Sequence, residues 1–251
     1  TVSPHLNYRP TLIPFGQNYE NISYSEITNS WLDWVAKLIH LVWEKPRDVD
    51  VAHTGLEQLV KLDGSKSPPI NPWERVFAAE SEDFVPPRDQ IEGWVKSFAQ
   101  IDWERLEQTS DESWRRLNAW ERYSNRSAAI HSVLKAATFG LKIIGRVDHS
   151  AAIKDKTSIL LNLSFGKLRI LSEMEHNRWV AERLIDGWWF HEQRSERSRW
   201  QLIPFSDLAK RNKDLKDDDM KDQREKDARI IMLVLGLIAT GRLQTEPINS
   251  R

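Results

Sequence analysis

The sequence predicts a mostly α-helical fold with a few short extended segments. Apolar residues recur at three- and four-residue spacing in several stretches, which is the period of a helix buried on one face. No stretch of any length shows the apolar–polar alternation of a half-buried strand. The longest apolar run, Ile230–Ala239, is too short to span a membrane and is typical of a buried helix.

Composition narrows the range of functions. The 251 residues carry a net charge of −1, so the chain has no overall attraction to nucleic acid or to an anionic membrane. It has no cysteine, which excludes disulfides and thiolate chemistry and leads us to expect a reducing, cytoplasmic location. Twelve Trp against ten Gly favours planar binding surfaces over phosphate-cradling loops. The chain starts at Thr1 without a signal-peptide pattern, as expected for the C-terminal part of a longer protein.

The first part of the chain is predicted to be a linker followed by helices. Residues 1–25 contain scattered prolines and no sustained period, which predicts a linker. Residues 26–45 predict a helix, and Pro46 ends it. The proline-rich stretch 46–90 predicts loops with one short helix at 54–62, and residues 91–106 predict a further helix. The predicted buried side chains of the two longer helices are Trp31, Val35, Leu38, Val42, Ile91, Val95, Phe98 and Leu106.

A helix is next predicted to begin at Ser124, a plausible N-cap, and to be stopped by Gly145. Its expected buried stripe is Ile130, Val133, Leu134, Ala137, Leu141 and Ile144. The polar stretch 146–157 marks a domain boundary, so we assign 26–150 and 158–245 to two units. In the second unit, helices are expected at 168–189, closed by Asp186-Gly187, and at 226–239, followed by Gly241. Residues 200–205 read as extended, and the charged run 210–226 as a solvated surface.

The helix at 168–189 has two contrasting faces. Its expected apolar side is Leu171, Met174, Ala181, Leu184, Ile185 and Trp188, with Arg178 at the edge. Ser172, Glu175, His176, Trp179 and Arg183 fall on the other side. A Trp in the middle of a polar face is either covered by a second packing layer or exposed as an aromatic surface that stacks a planar ligand.

A short pattern occurs twice in the chain. His40 and His176 each precede a Trp by three residues, at Trp43 and Trp179. Each pair is followed by a helix with a polar opening, at Ser124-Asn-Arg126 and at Arg224-Glu-Lys-Asp227. This repetition predicts two tandem helical repeats in a pseudo-two-fold arrangement, with a proline-rich insertion in the first.

The second copy resembles the ryanodine receptor repeat domain in the form found in bacterial and phage proteins. The resemblance covers about residues 168–241 and rests on Glu175-His-Asn-Arg-Trp179, Gly187-Trp188, Leu202-Ile-Pro-Phe205 and Leu208. The first half looks like the more divergent copy that precedes it in prokaryotic relatives, through 36–40 and 123–129. In such relatives a Rossmann-like NAD-binding domain often comes first. This chain has no G-x-G-x-x-G motif, so no cofactor is expected.

The resemblance implies a non-enzymatic module that binds a ligand between its two repeats. In the animal channels that it resembles, the paired repeats hold an adenine nucleotide with tryptophans on the base. In prokaryotes the domain is suspected to sense nucleotide-derived signals in phage defence. This chain departs from the pattern at Phe190-His-Glu192, where Gly-Pro is usual, and at Val42, where an Arg is expected, so its ligand is expected to differ.

The predicted ligand contacts fall into three groups, each with a structural alternative. Trp43 and Trp179 are expected to stack a base, with Trp188 behind them or in the core. Arg126 and Arg178 contact a phosphate or form structural salt bridges. The remaining candidates either bind the ligand or serve as hydrogen-bonded and capping residues of the fold: His40, His176, Glu175 and Asn125.

Other functions are less favoured by the residues. Glu175 and His176 are an acid–base pair in type, but neighbours on a helix point about 100° apart and no nucleophile accompanies them. The seven His are scattered without metal-ligand spacing, so no metal is expected. The main alternative to a nucleotide sensor is a protein-interaction scaffold without a small ligand. The expected partners are therefore a nucleotide-derived molecule and an upstream Rossmann-like or membrane domain, and self-association is left open.

Overall fold

The computed structural model describes residues 31–44, 76–77, 83–147, 157–193, 195–208 and 223–248. Most of these residues are helical, which confirms the predicted class. The helices are α1 (Trp31–Glu44), α2 (Arg88–Ala99), α3 (Trp103–Arg116), α4 (Ala119–Ala137), a 3-10 helix (Thr157–Asn162), α5 (Phe165–Ile185) and α6 (Gln223–Ala239). The strands are β1 (Leu141–Arg146), β2 (Trp189–Phe190), β3 (Ser198–Arg199) and β4 (Leu243–Pro247). The predicted linker 1–25, the short helix at 54–62 and most of the charged run 210–226 lie outside the described residues.

Helix α6 forms the centre of the core. Every residue from Asp227 to Leu243 is buried, so the helix is covered on all sides rather than along one stripe. It contacts α1, α2, α4, α5 and the 3-10 helix. The helix ends two residues before Gly241, which has a φ of 71° that favours glycine. The prediction of a buried final helix followed by Gly241 is confirmed.

Helix α1 packs against α4 and α6 along an almost continuous apolar surface. Val35, Leu38 and Val42 are buried as predicted, and so are the intervening Ala36, Ile39 and Leu41. Arg126 of α4 adds a bidentate ion pair to Asp33 of α1, with N–O distances of 2.6 and 3.0 Å.

The prediction of one helix over 91–106 is wrong, because the chain breaks between α2 and α3. The Asp102 carboxylate accepts a hydrogen bond from the Arg105 amide at 3.1 Å and caps a new helix. Ile91, Val95 and Phe98 are buried on α2, whereas Leu106 is buried on α3.

Helix α4 begins earlier than predicted. Asn118 and Glu121 form a reciprocal capping box, so the helix starts at Ala119 rather than after Ser124. Ser124 lies inside the helix, where its hydroxyl accepts a hydrogen bond from Arg183 at 3.2 Å. The local preference of Ser124 for a helix start is therefore overridden by a stronger cap one and a half turns upstream.

The predicted buried stripe of this helix is also wrong. Ile130 and Leu134 are exposed, while Ala128, Ser132 and Lys135 face the core. The small Ala128 lets neighbouring helices approach. Lys135 finds a partner on another helix in Glu175, whereas the Ser132 hydroxyl donates to the Ala128 carbonyl of its own helix at 3.2 Å. The helix ends at Ala137 and the chain turns at Gly140, which has a φ of 71°, not at Gly145. Leu141 and Ile144 belong to β1.

The strands form two small sheets. Strand β1 pairs antiparallel with β4, with an irregularity between Ile143 and Gly145. The two-residue strands β2 and β3 pair in parallel just after α5. The extended segment predicted at 200–205 is wrong in its position, since the strand covers Ser198 and Arg199 and residues 205–208 are helical. None of the described helices is long and apolar enough to cross a membrane.

A pair of glycine substitutions tests the packing of α6 on α2. A Cβ at Gly236 would lie 2.4 Å from Cε2 of the buried Phe98 ring, whereas one at Gly93, on the exposed face of α2, meets nothing within 4 Å. We expect Gly236→Ala to lower the free energy of unfolding by about 1–3 kcal/mol. Gly93→Ala should leave it unchanged or raise it by about 1 kcal/mol through helix propensity. Urea unfolding measures both, and equal effects would contradict the close approach of the two helices.

Candidate functional site: a tryptophan–arginine surface beside a buried ion cluster

Helix α5 buries the face opposite to the one that the sequence predicts to be buried. Leu184 and Ile185, expected in the core, are exposed, Ile185 by 85%. The side predicted to be polar faces inward, because Ser172, Glu175, His176 and Arg183 are buried. Only Leu171 of the expected apolar side is fully buried, with Met174 packed against the core. The reason is that helix α4 presents matching polar groups to this side.

A buried ion cluster joins α4 to α5. The fully buried Glu175 carboxylate accepts a hydrogen bond from Lys135 Nζ at 2.5 Å and two from Arg178 at 2.7 and 3.0 Å. Arg178 also donates to Glu182 at 2.6 Å and to the Ser127 hydroxyl at 3.1 Å. Burial alone would raise the pKa of Glu175, but the charges of Lys135 and Arg178 hold it well below its usual range. The carboxylate is therefore ionised and fully occupied.

His176 is also buried, on the side of α5 that meets α6. Its Nε2 donates to the Ile203 carbonyl at 2.8 Å, and its Nδ1 lies 3.5 Å from Asp227 Oδ2 on α6. The centroid of its ring is 6.1 Å from that of Trp179.

Next to the ion cluster lies a group that we call the tryptophan–arginine surface: Trp120, Trp179, Trp188, Arg183 and Arg199. Trp120 and Trp188 are stacked, with centroids 5.3 Å apart and planes 16° apart. The Arg183 guanidinium carbon lies 3.9, 5.0 and 5.3 Å from the centroids of Trp120, Trp188 and Trp179. The guanidinium carbon of Arg199, which is on β3, lies 4.5 Å from the centroid of the Trp188 ring. All three indoles are partly exposed, so part of their aromatic area is reachable from solvent.

The local chain positions these side chains. Trp120 is in the first turn of α4, where its indole N–H donates to Asp186 at the end of α5 at 3.1 Å. Gly187, with a φ of 77°, ends α5 as predicted and directs Trp188 back beside Trp120. The pairing of β2 with β3 then brings Arg199 to the same place. The surface therefore depends on elements from both predicted units.

The side chain of Arg183 is positively charged and lies among the three indole rings. Burial lowers its pKa to about 10, partly opposed by Glu182, whose carboxylate is 3.3 Å away. The guanidinium is therefore charged at neutral pH, and cation–π attraction holds it against the ring faces. A partly desolvated cation beside aromatic faces suits a planar ligand with negative charge.

The predicted site residues are divided between several places. Trp179 and Trp188 lie on the tryptophan–arginine surface, whereas Glu175, Arg178 and His176 lie beneath it in buried contacts. The side chain of Trp43 lies outside the described residues, so its predicted role stays a prediction.

The other candidates on the first unit also have structural partners. His40 is buried and lies 2.8 Å from the Ser113 hydroxyl. Asn125 is in the middle of α4 rather than at its start, and donates to the Glu121 carbonyl at 2.9 Å. Arg126 pairs with Asp33 and lies 5.4 Å from Trp114.

Sequence reasoning missed Trp120 and Arg199, and it did not assign Arg183 to the ligand. Arg183 follows Trp179 by one helical turn, and this spacing is a signal that was present in the sequence. Trp120 and Arg199 approach the site only through tertiary packing. Among the described residues, no three His, Asp or Glu side chains form a group suited to a metal ion.

Comparisons with known proteins give no further assignment. No protein-family model, curated protein or solved structure matches the chain.

Two substitutions in the ion cluster test how Lys135 and Arg178 each contribute to the neutralisation of Glu175. Glu175→Gln leaves Lys135 buried without its carboxylate, and we expect the free energy of unfolding to fall by about 3–5 kcal/mol. Lys135→Met leaves Glu175 neutralised by Arg178 and should cost clearly less. Urea unfolding with circular dichroism measures both. A larger loss for Lys135→Met would contradict the role assigned to Arg178.

Proposed function

We propose that the chain is a non-catalytic sensor module that binds a nucleotide-derived small molecule at the tryptophan–arginine surface. The observation that carries the proposal is the convergence of three partly exposed indoles on one buried, charged guanidinium. Candidate ligands are an adenine nucleotide, a cyclic nucleotide or an ADP-ribose derivative. Trp120, Trp179 and Trp188 offer stacking area, and Arg183 and Arg199 face the negative charge of the ligand.

The energetics of such a site are adequate for a nucleotide. A base stacked on an aromatic side chain gains about 1–3 kcal/mol, and a hydrogen bond to a charged group contributes about 1.5–3 kcal/mol. Two stacking contacts and two arginine contacts together reach the roughly 8 kcal/mol of a micromolar complex. The existing cation–π contacts favour this further, since rings and guanidinium held in place lose little entropy when the ligand binds.

We also propose that the chain consists of two tandem repeats related by a pseudo-two-fold axis. Helix α1 packs on α4 as α5 packs on α6, and α1 and α5 each also contact the other's partner. Gly140 and Gly241 both have a φ of 71°, and each leads from a helix into a strand. These strands, β1 and β4, pair antiparallel, as a two-fold axis requires.

Spacing along the chain supports the same relation. Gly140 and Gly241 are as far apart as Arg126 and Asp227, the last residues of the two polar segments that correspond in the two predicted copies. Arg47 follows Trp43 by four residues, as Arg183 follows Trp179. Trp120 comes from the first copy and Trp179 from the second, so a ligand at this surface lies where the two copies meet. The role predicted for Trp43, as the counterpart of Trp179 in the first copy, stays a prediction.

The resemblance to the prokaryotic form of the ryanodine receptor repeat domain agrees with a sensor rather than an enzyme. It further suggests that the module acts in phage defence or in channel regulation, that it is cytoplasmic, and that a Rossmann-like or membrane domain lies upstream of it. The replacement of the usual Gly-Pro by Phe190-His-Glu192 lies at the edge of the site. We therefore expect a ligand other than the one bound by the animal channels.

The exposed apolar side chains around the site favour a second function. Ile185, Trp189 and Phe190 are 85%, 52% and 42% exposed, and they follow one another closely around the end of α5. Neighbouring exposed apolar groups of this kind mark protein interaction surfaces as well as ligand sites. The alternative function is therefore a protein-interaction scaffold that takes no small ligand.

Thermal unfolding with a nucleotide panel tests the proposal. A ligand at 100 times its dissociation constant adds about 2.7 kcal/mol to the free energy of unfolding, which raises the melting temperature by roughly 5–10 °C at this size. Trp120→Ala, Trp179→Ala and Arg183→Lys should each reduce the shift. Arg197→Ala, a change of an exposed arginine next to the surface, serves as the matched control and should retain it.

Because the substitutions also change intrinsic stability, the dissociation constant is measured by calorimetry for each folded variant. If no nucleotide changes the melting temperature of the parent chain, the sensor is excluded and the scaffold becomes the better account. If a nucleotide binds equally well to all three site variants, the ligand site lies elsewhere. Turnover of a panel member would contradict the non-catalytic assignment.

A further inference from the structure

Helices α5 and α6 are joined by a buried pair of titratable groups that the ligand site does not use. His176 is 3% exposed and Asp227 is 4% exposed. The Ile203 carbonyl lies 2.8 Å from Nε2 of His176. A carbonyl oxygen only accepts hydrogen bonds, so Nε2 carries a hydrogen and the second nitrogen is the one that gains or loses a proton.

That second nitrogen faces a carboxylate. Nδ1 of His176 lies 3.5 Å from Oδ2 of Asp227. Without a proton on either atom, the lone pair of Nδ1 would face an ionised carboxylate inside the protein, an arrangement that has no compensating hydrogen bond. We propose that His176 and Asp227 form a proton-dependent clasp, which holds α5 against α6 while one proton is bound between them and weakens when that proton is lost.

The groups around the pair support proton binding. On α5, Glu173 favours the charged histidine, while Glu175 is already neutralised by Lys135 of α4 and by Arg178. Beyond Asp227, the ring is covered by the uncharged rings of Phe205 and Trp179, at 5.8 and 6.1 Å.

The pKa directions agree with this geometry. Burial lowers the pKa of His176, but the contacts with Asp227 and the Ile203 carbonyl raise it above 6.5 overall. Burial also raises the pKa of Asp227, to about 6. Both groups hold protons more tightly in the folded chain than in the unfolded chain. The stability due to proton binding at His176 is therefore complete below pH 6.5 and is lost as the pH rises through its raised pKa, whereas the part due to Asp227 is lost at lower pH, as the pH rises towards about 6.

This loss has a consequence for the tryptophan–arginine surface. Trp179 lies one helical turn after His176 and packs beside its ring, so loosening of the clasp changes the support of one stacking indole. The consequence for ligand affinity rests on the proposed function, whereas the clasp itself does not.

Proton release on unfolding tests the clasp without any ligand. Calorimetric unfolding of the full chain in two buffers with different ionisation enthalpies, at pH values from 6.5 to 8.5, counts the protons released. We expect a net release of up to one proton within this window, and the folding equilibrium constant to fall by up to tenfold per pH unit there. Asp227→Asn should abolish this release, because its uncharged amide donates to Nδ1 and removes the need for a proton.

Two further variants make the assignment specific. His131→Gln changes a partly buried histidine, whose Nδ1 lies 3.6 Å from Oε2 of Glu175, and should retain the release. His176→Gln keeps a donor to Ile203 without a titrating group and should abolish it, which provides a second test if Asp227→Asn fails to fold. No release by the parent chain, or full release by either folded clasp variant, overturns the proposal. Neither of these results bears on ligand binding at neutral pH. The sensor proposal is therefore tested separately, by the nucleotide panel.

Discussion

The fold depends on one constraint, the neutralisation of the buried Glu175 carboxylate by cations from two helices. An ionised carboxylate without water needs charged hydrogen-bond donors close by, and here they come from Lys135 of α4 and Arg178 of α5. The net contribution of such a cluster to stability is modest, because the desolvation of the charges offsets much of their attraction. Its strength lies in specificity, since only one rotation and one register of α4 against α5 bring the three groups together.

That register determines the candidate site. Contacts along the two helices run in opposite order, from Lys135 with Glu175, through Ser127 with Arg178 and Ser124 with Arg183, to Trp120 with Asp186. The antiparallel helices thus carry a line of polar contacts from the core to the end where α5 stops. At this end Gly187 reverses the chain and Trp188 stacks on Trp120. The tryptophan–arginine surface is the solvent-facing end of the contact line that begins with the buried carboxylate.

Sequence reasoning found part of this site and misjudged the rest. It singled out Trp179 from the rarity of a Trp on a polar helix face, and it placed Trp188, from the apolar side, behind the stacking rings or in the core; both lie on the surface. It expected the opposite, apolar face in the core and left open whether the polar face is covered or exposed, because a helix wheel assigns burial by polarity and Glu175 and Arg183 are charged. Burial of a charged group is strongly unfavourable unless an opposite charge lies beside it. Here that partner, Lys135, is on α4, far away in the sequence. Trp120 and Arg199 were missed for the same reason.

By itself, the sequence determined the features that arise from local chemistry. The helical class follows from apolar spacing, the burial of α6 from a long apolar run, and the ends of α5 and α6 from glycines with a positive φ that other residues disfavour. Only the tertiary structure decided which face of α5 is buried, where α4 begins and that β1 pairs with β4. These outcomes depend on competition between alternative helix caps and on contacts between residues that are far apart in the chain, such as the polar groups of α4 and α5. A local sequence pattern does not contain information about such contacts.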